Sequence, residues 1–277
     1  MRYAMYLPTQ GPFADARLLA DLAREADAAG WDGFFIWDEL LPFWEHWPES
    51  ADSWIAMTAI AMATQRIRFG ALVTPLARRR PAVVARESVT LDHLSNGRLV
   101  LGIGLGNPDT QFTAFGEEGD ARVRAAKTDE FLELLTKLWS GEAVAFAGDH
   151  YRAECGPFLP RPVQEPRIPV WVGAGSRNRA PLRRAARWDG FVPASPGWPD
   201  EVVSPDEYHQ MRERIQQLRT TDAPVDIGVI SNWTGDLPAT TPESVREYAD
   251  AGVTWWLVQA GTPELARERI RAGSPAR

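Results

Sequence analysis

Residues 74–107 read TPLARRRPAVVARESVTLDHLSNGRLVLGIGLGN, and the stretch carries one full period of the pattern that organises the chain. Thr74 closes a β-prone run that starts at Arg68, Ala82 to Leu94 places apolar residues at helical spacing, and Leu99 to Leu105 is again a short apolar run. Strand, helix and strand in such quick succession make a βαβ unit with parallel strands. The same alternation continues in both directions. Further strands are expected at Tyr3 to Leu7, Gly33 to Trp37, Pro169 to Gly173, Gly190 to Pro193, Asp226 to Ser231 and Val253 to Gln259. The remaining helices are expected at Asp15 to Ala29, Asp52 to Thr64, Ala121 to Ser140, Asn178 to Trp188, Pro205 to Thr220, Pro242 to Ala251 and Pro263 to Ala272. Ser204, Thr241 and Thr262 each precede a proline and read as helix N-caps, while Gly30, Gly141, Gly252 and Gly273 read as helix stops.

Eight such units, with no composition break, predict an α/β fold of the (β/α)8 TIM-barrel type over residues 1–277 as one domain. The spacing is uneven once: an insertion at about residues 141–168, after the fourth helix, is expected to hold a short hairpin and an extended proline-rich segment.

Composition narrows the function. The chain has 277 residues, 44% hydrophobic and 24% charged, and 30 Lys and Arg against 37 Asp and Glu leave a net charge of −7. That balance argues against nucleic acid or an anionic membrane as the partner and for a small molecule. Cys155 is the one cysteine, so no internal disulfide can form, and the opening MRYAMYLPTQGPF lacks signal-peptide flanks. With no apolar run long enough to span a bilayer, a cytoplasmic protein is expected. Only two of the basic residues are lysines, Lys127 and Lys137, both in a helical pattern, which removes Schiff-base and P-loop chemistry. His46, His93, His150 and His209 form no metal-ligand pair, and no metal centre is expected.

In a (β/α)8 barrel, chemistry sits at the C-terminal ends of the strands. After strand two, Trp37-Asp38-Glu39 runs into Phe43, Trp44 and Trp47, adjacent carboxylates beside an aromatic wall on which a planar ligand can stack. After strand three come Arg78, Arg79 and Arg80, which read either as an anion site or as a solvated basic turn. Gly104, Gly106 and Asn107 follow strand four, where absent side chains let something approach the backbone. Gly173, Ala174, Gly175 and Ser176, leading through Arg177 and Asn178 into a helix, read as an anion-binding turn.

Taken together these motifs resemble the luciferase-like monooxygenase superfamily, (β/α)8 barrels that use reduced flavin or a deazaflavin. The resemblance is carried by residues 74–107, then FTAFGEE, LLTKLWSGEAVAFAGDHYR, PRPVQEPRIPVWVGA and AARWDGFVP in the family's order. It implies an oxidoreductase acting on a small organic substrate by hydride transfer at the barrel mouth. The implied coenzyme is F420, an 8-hydroxy-5-deazaflavin, with FMN as the alternative. In that second case the chain is an FMNH2-dependent monooxygenase using oxygen or a flavin-binding protein without catalysis. The resemblance further implies cofactor contacts at Asp38, Ala71, Leu72, Thr74, Gly104, Gly106, Asn107 and Gly173 to Ser176. Glu39 stands where the deazaflavin branch often has histidine, which makes it the candidate for proton transfer, and Asn107 stands where a sugar-phosphate dehydrogenase branch has a catalytic glutamate. Trp37, Phe43, Trp44 and Trp47 are expected to shape the substrate side, His93 to be structural, and the assembly to be a homodimer. A glycosidase is disfavoured, because adjacent Asp38 and Glu39 point to opposite faces in strand geometry.

Overall fold

A computed structural model describes residues 1–176, 179–234 and 236–273, with the backbone alone for Arg179. Eight parallel strands form the barrel: β1 (Arg2–Leu7), β2 (Gly33–Ile36), β3 (Arg68–Ala71), β4 (Leu101–Gly104), β5 (Val170–Gly175), β6 (Gly190–Ala194), β7 (Asp226–Ile230) and β8 (Trp255–Val258). They are hydrogen-bonded in the order β3-β2-β1-β8-β7-β6-β5-β4. A parallel bridge from Phe69 to Leu99 joins the two ends of this order, and Thr74–Pro75, resuming the line of β3, pairs with Ile103 and Gly104. The third strand is therefore not continuous from Arg68 to Thr74 as expected: Leu72 and Val73, joined by a cis peptide, bulge out of it.

Besides a single turn at Thr110–Thr113, the helices are α1 (Ala16–Ala28), α2 (Ser53–Ala63), α3 (Pro81–Leu94), α4 (Ala121–Trp139), α5 (Arg179–Ala185), α6 (Pro205–Leu218), α7 (Pro242–Asp250) and α8 (Pro263–Ala272). Ser204, Thr241 and Thr262 cap α6, α7 and α8 through their side chains, and Ser204 with Glu207 completes a capping box. Gly30, Gly141, Gly252 and Gly273 all take positive φ at helix ends. The insertion holds the expected hairpin, Val144–Ala147 against Arg152–Cys155. Glu130 of α4 accepts from the amides of His150 and Tyr151 at the hairpin turn. The proline-rich return is anchored by buried Asp92, which accepts from the amides of Val163 and Gln164 and from the Gln164 side chain. His93, exposed beside it, places Nε2 2.7 Å from the Arg161 carbonyl oxygen, the structural role expected of it.

Alternation along the strands sorts the core into two layers. Phe34, Ile36, Val170, Val172, Trp256 and Val258 face the helices, whereas Phe35, Trp37, Trp171, Trp255 and Leu257 fill the barrel. Low in the barrel, Phe35, Trp171 and Trp255 form a closed triad with ring centroids 5.3–5.9 Å apart. Gly190 makes room for it, since a Cβ there would stand 2.4 Å from Trp171 Cδ1. Arg2, paired with Asp226, lies over the Trp255 ring and closes the lower end. With that end plugged, ligand access is left to the strand C-termini.

Candidate active site

At the upper end the barrel axis meets a second aromatic cluster. Trp37, at the end of β2, packs against Tyr6 of β1, Phe43 and Trp44 of the following loop, and Trp198 and Trp233, at 5.4–6.3 Å between centroids. Trp47 joins through Trp44 and Trp233. Four residues predicted to shape the substrate side are thus brought together. Tyr6, Trp198 and Trp233 were missed, although a tryptophan three or four residues past the ends of β6 and β7 was a readable signal under the same strand-end rule.

Two buried glutamines shape the loop that carries this wall. Gln111 accepts from the amides of Leu40 and Leu41, both at 2.9 Å, and donates to the Leu41 carbonyl. Gln10 accepts from the Phe43 amide at 2.8 Å and donates to the same Leu41 carbonyl. Ser53 donates to the carbonyl of Trp37, and Trp198 Nε1 donates to that of Ser231.

Asp38 and Glu39 part company here. Asp38, 3% exposed, accepts from Arg78 on Oδ1 at 3.0 Å and from Arg79 on both carboxylate oxygens, at 2.9 Å on Oδ2 and 3.2 Å on Oδ1. Both arginines are largely buried, so Arg78 and Arg79 form neither a solvated turn nor an open anion site; they neutralise Asp38. Glu39 is only partly buried, yet its Oε2 is enclosed and has no partner. Burial, against the opposing charge of Arg78 and with help from Asp38, pushes the Glu39 carboxyl up to about 8. Burial and Glu39 together hold the Tyr6 phenol above its ordinary value, and its hydroxyl donates to the Leu72 carbonyl.

The positions implied as cofactor contacts divide. The space that Gly104 and Gly173 leave open is taken by Val73 of the bulge: a Cβ on either would stand 2.4 or 2.3 Å from a Val73 methyl. Gly106, at φ +77°, lies against Phe112 and Pro75. Ala71 and Leu72 are buried in the barrel wall, and Asn107 is exposed. Gly173, Ala174 and Gly175 are strand residues paired with Val192, Pro193 and Ala194, and the Ser176 amide donates to Ala194; the expected turn therefore starts later, because this segment is held in the sheet. Arg177 and Asn178 lie outside the described residues. Thr74 Oγ1, Ser176 Oγ and, after β8, Gln259 Oε1 are buried without partners. Among the described residues, no group of His, Cys, Asp and Glu is placed to hold a metal ion, and no helix is long and apolar enough to cross a membrane.

Comparison with known proteins agrees with this architecture. A family model described as luciferase-like monooxygenase matches residues 1–252. The F420-dependent glucose-6-phosphate dehydrogenase of Intrasporangium calvum is 30% identical, with 91% of each chain covered. That of Nakamurella multipartita is 35% identical over 64% of this chain and 52% of its own length, and that of Amycolatopsis mediterranei is 34% identical over 64% and 53%. The chain thus spans about half the length of these last two relatives. Among solved structures, an F420-dependent secondary alcohol dehydrogenase in complex with an F420-acetone adduct has a TM-score of 0.80 at 16% identity, covering 99% of this chain and 98% of that one. A monooxygenase from Streptomyces bottropensis has a TM-score of 0.74 at 21% identity, covering 98% and 97%. At these identities the structural likeness shows the fold, a (β/α)8 barrel.

Proposed function

The chain belongs to the luciferase-like monooxygenase family, and on that premise we propose that it is an oxidoreductase that uses coenzyme F420 to oxidise or reduce a small organic substrate at the barrel mouth. The observation that carries the reading is the set of buried polar atoms without partners at the strand ends: Trp37 Nε1, Glu39 Oε2, Thr74 Oγ1, Ser176 Oγ and Gln259 Oε1. Buried polar groups in native proteins are nearly always satisfied, so the open ones at the mouth fit a polar heterocycle and its substrate. The relatives named as F420-dependent support deazaflavin over FMN.

When bound, the coenzyme supplies a two-electron hydride donor or acceptor. The chain's own residues do the rest. Thr74, Ser176 and the adjoining β5 backbone would hold the coenzyme, with the Leu72–Val73 bulge behind it. Glu39 handles the substrate proton: protonated below about pH 8, its carboxyl donates to a carbonyl oxygen being reduced, and above that pH the carboxylate accepts the proton of an alcohol being oxidised. Asp38 acts through Arg78 and Arg79, which fix the loop that presents Glu39. The aromatic wall keeps water from the reacting atoms.

The test is anaerobic reaction of the protein with reduced F420 and a panel of carbonyl compounds, beside reduced FMN with oxygen. Substrate-dependent oxidation of F420 is expected. Oxygen consumption with FMN alone would move the chain to its second reading, an FMNH2-dependent monooxygenase. The homodimer implied by the resemblance has a candidate contact face in α2, which carries no charged residue and leaves Ile55 and Met62 exposed. A reducing, cytoplasmic setting accords with the free, exposed thiol of Cys155.

A further inference from the structure

The mouth is far more aromatic than a site for a sugar phosphate requires. A phosphate is ordinarily held by several cations, and among the described residues the arginines nearest the mouth already have partners. Arg78 and Arg79 neutralise Asp38. Arg269 donates to the Thr234 carbonyl and feels the charge of Asp236. Lys127 and Lys137 are on α4, in the outer layer of helices. The rim is acidic instead: Glu45, Asp200 and Asp236, all exposed, flank Trp44, Trp198 and Trp233 in sequence and repel an anion. Inside this rim Trp37 offers an open hydrogen-bond donor. Trp37 is 8% exposed, its ring contacts those of Trp44, Trp198 and Trp233, and its Nε1 has no acceptor.

We propose that the mouth cluster is a subsite for an uncharged ketone or alcohol bearing an aromatic or bulky alkyl group, its oxygen accepting from Trp37 Nε1 and its apolar part lying among Trp44, Trp198 and Trp233. The proposal deepens the reading as an F420-dependent oxidoreductase and rests on that reading for turnover, though not for binding. Trp171 and Trp255 also have indole N–H groups without acceptors, but they are enclosed in the lower triad at 1% exposure or less. Trp44, Trp198 and Trp233 are only partly buried and sit on loops, so the upper cluster, unlike the lower, faces solvent. Glu39, two residues from Trp37 and protonated at neutral pH, adds no charge there and favours an uncharged ligand.

The experiment is calorimetric titration of the protein, without and with F420, using acetophenone, toluene and glucose 6-phosphate as probes. Acetophenone is expected to bind saturably in both forms, and glucose 6-phosphate in neither. Trp37→Phe, which keeps a ring and removes the donor, should weaken acetophenone roughly fivefold to tenfold while leaving toluene unchanged. Trp198→Ala and Trp233→Ala should weaken both apolar probes by about tenfold, with Trp233→Phe restoring most of the loss. Tighter binding of glucose 6-phosphate than of acetophenone, or no binding of acetophenone in either form, overturns the proposal. Acetophenone binding without any binding of F420 would sink the coenzyme reading and leave the subsite standing; F420 binding without acetophenone would do the reverse.

Discussion

The two aromatic clusters on the barrel axis use the same residue type for opposite ends. In the lower triad Phe35, Trp171 and Trp255 are at most 1% exposed, come from the strands themselves, and are fitted by a glycine opposite them. In the upper cluster every tryptophan except Trp37 comes from a loop and stays partly open to solvent. An unpaired indole N–H occurs in both, so that feature alone does not mark a ligand site. The difference is the company it keeps. The lower rings meet other rings, aliphatic side chains and the Arg2 guanidinium, which is paired with Asp226, whereas Trp37 stands one residue from the Asp38–arginine pair and two from an unpaired carboxyl. Packing decides the first cluster and chemistry the second.

That contrast is open to attack by substitution. Trp171→Ala should cost about 3–5 kcal/mol of stability in urea unfolding, because the enclosed triad cannot collapse around the hole. A cost as small as that of a loop tryptophan would break the comparison. Glu39→Gln should lower turnover by about a hundredfold or more with little loss of coenzyme affinity, and unchanged turnover would remove Glu39 from proton transfer. The same variant sharpens the electrostatics. With the Glu39 carboxyl raised from 4.5 to about 8, the folded protein keeps a proton that the unfolded chain has released, so stability is highest below the lower value and falls as pH rises through that window. Glu39→Gln should flatten this fall, read from unfolding midpoints across the pH range. Gly190→Ala should cost about 1–3 kcal/mol, since the new Cβ would stand 2.4 Å from Trp171 and the ring has nowhere to go. Smallest of all, Trp233→Ala in the mouth should change stability by about 1 kcal/mol or less while weakening the uncharged probes.

The barrel was legible because each unit carries its own punctuation. Caps at Ser204, Thr241 and Thr262 and stops at Gly30, Gly141, Gly252 and Gly273 are local, and all were found where the sequence puts them. The site was legible only in part, because its decisive contacts are long-range. Asp38 meets Arg78 and Arg79 some forty residues on, across neighbouring strands, and nothing in either loop alone shows the pairing. Trp198 and Trp233 are isolated in sequence and converge on Trp37 only when the barrel closes. Gly104 was read as room for close approach to the backbone and Gly173 as part of an anion-binding turn, but the bulge after β3 brings Val73 against both. Gln10 and Gln111 gave no signal at all, since a buried amide that staples a loop looks like any surface glutamine until the loop is in place.

The most direct test of the account is an equilibrium titration of the protein with oxidised F420 and, separately, with FMN, following tryptophan emission. Saturable quenching by F420, retained when Phe35 of the lower triad is replaced by leucine and diminished when Trp37 is replaced by phenylalanine, is the predicted result. Failure of both coenzymes to bind would contradict the claim that the upper cluster, rather than the lower, is where this barrel does its chemistry.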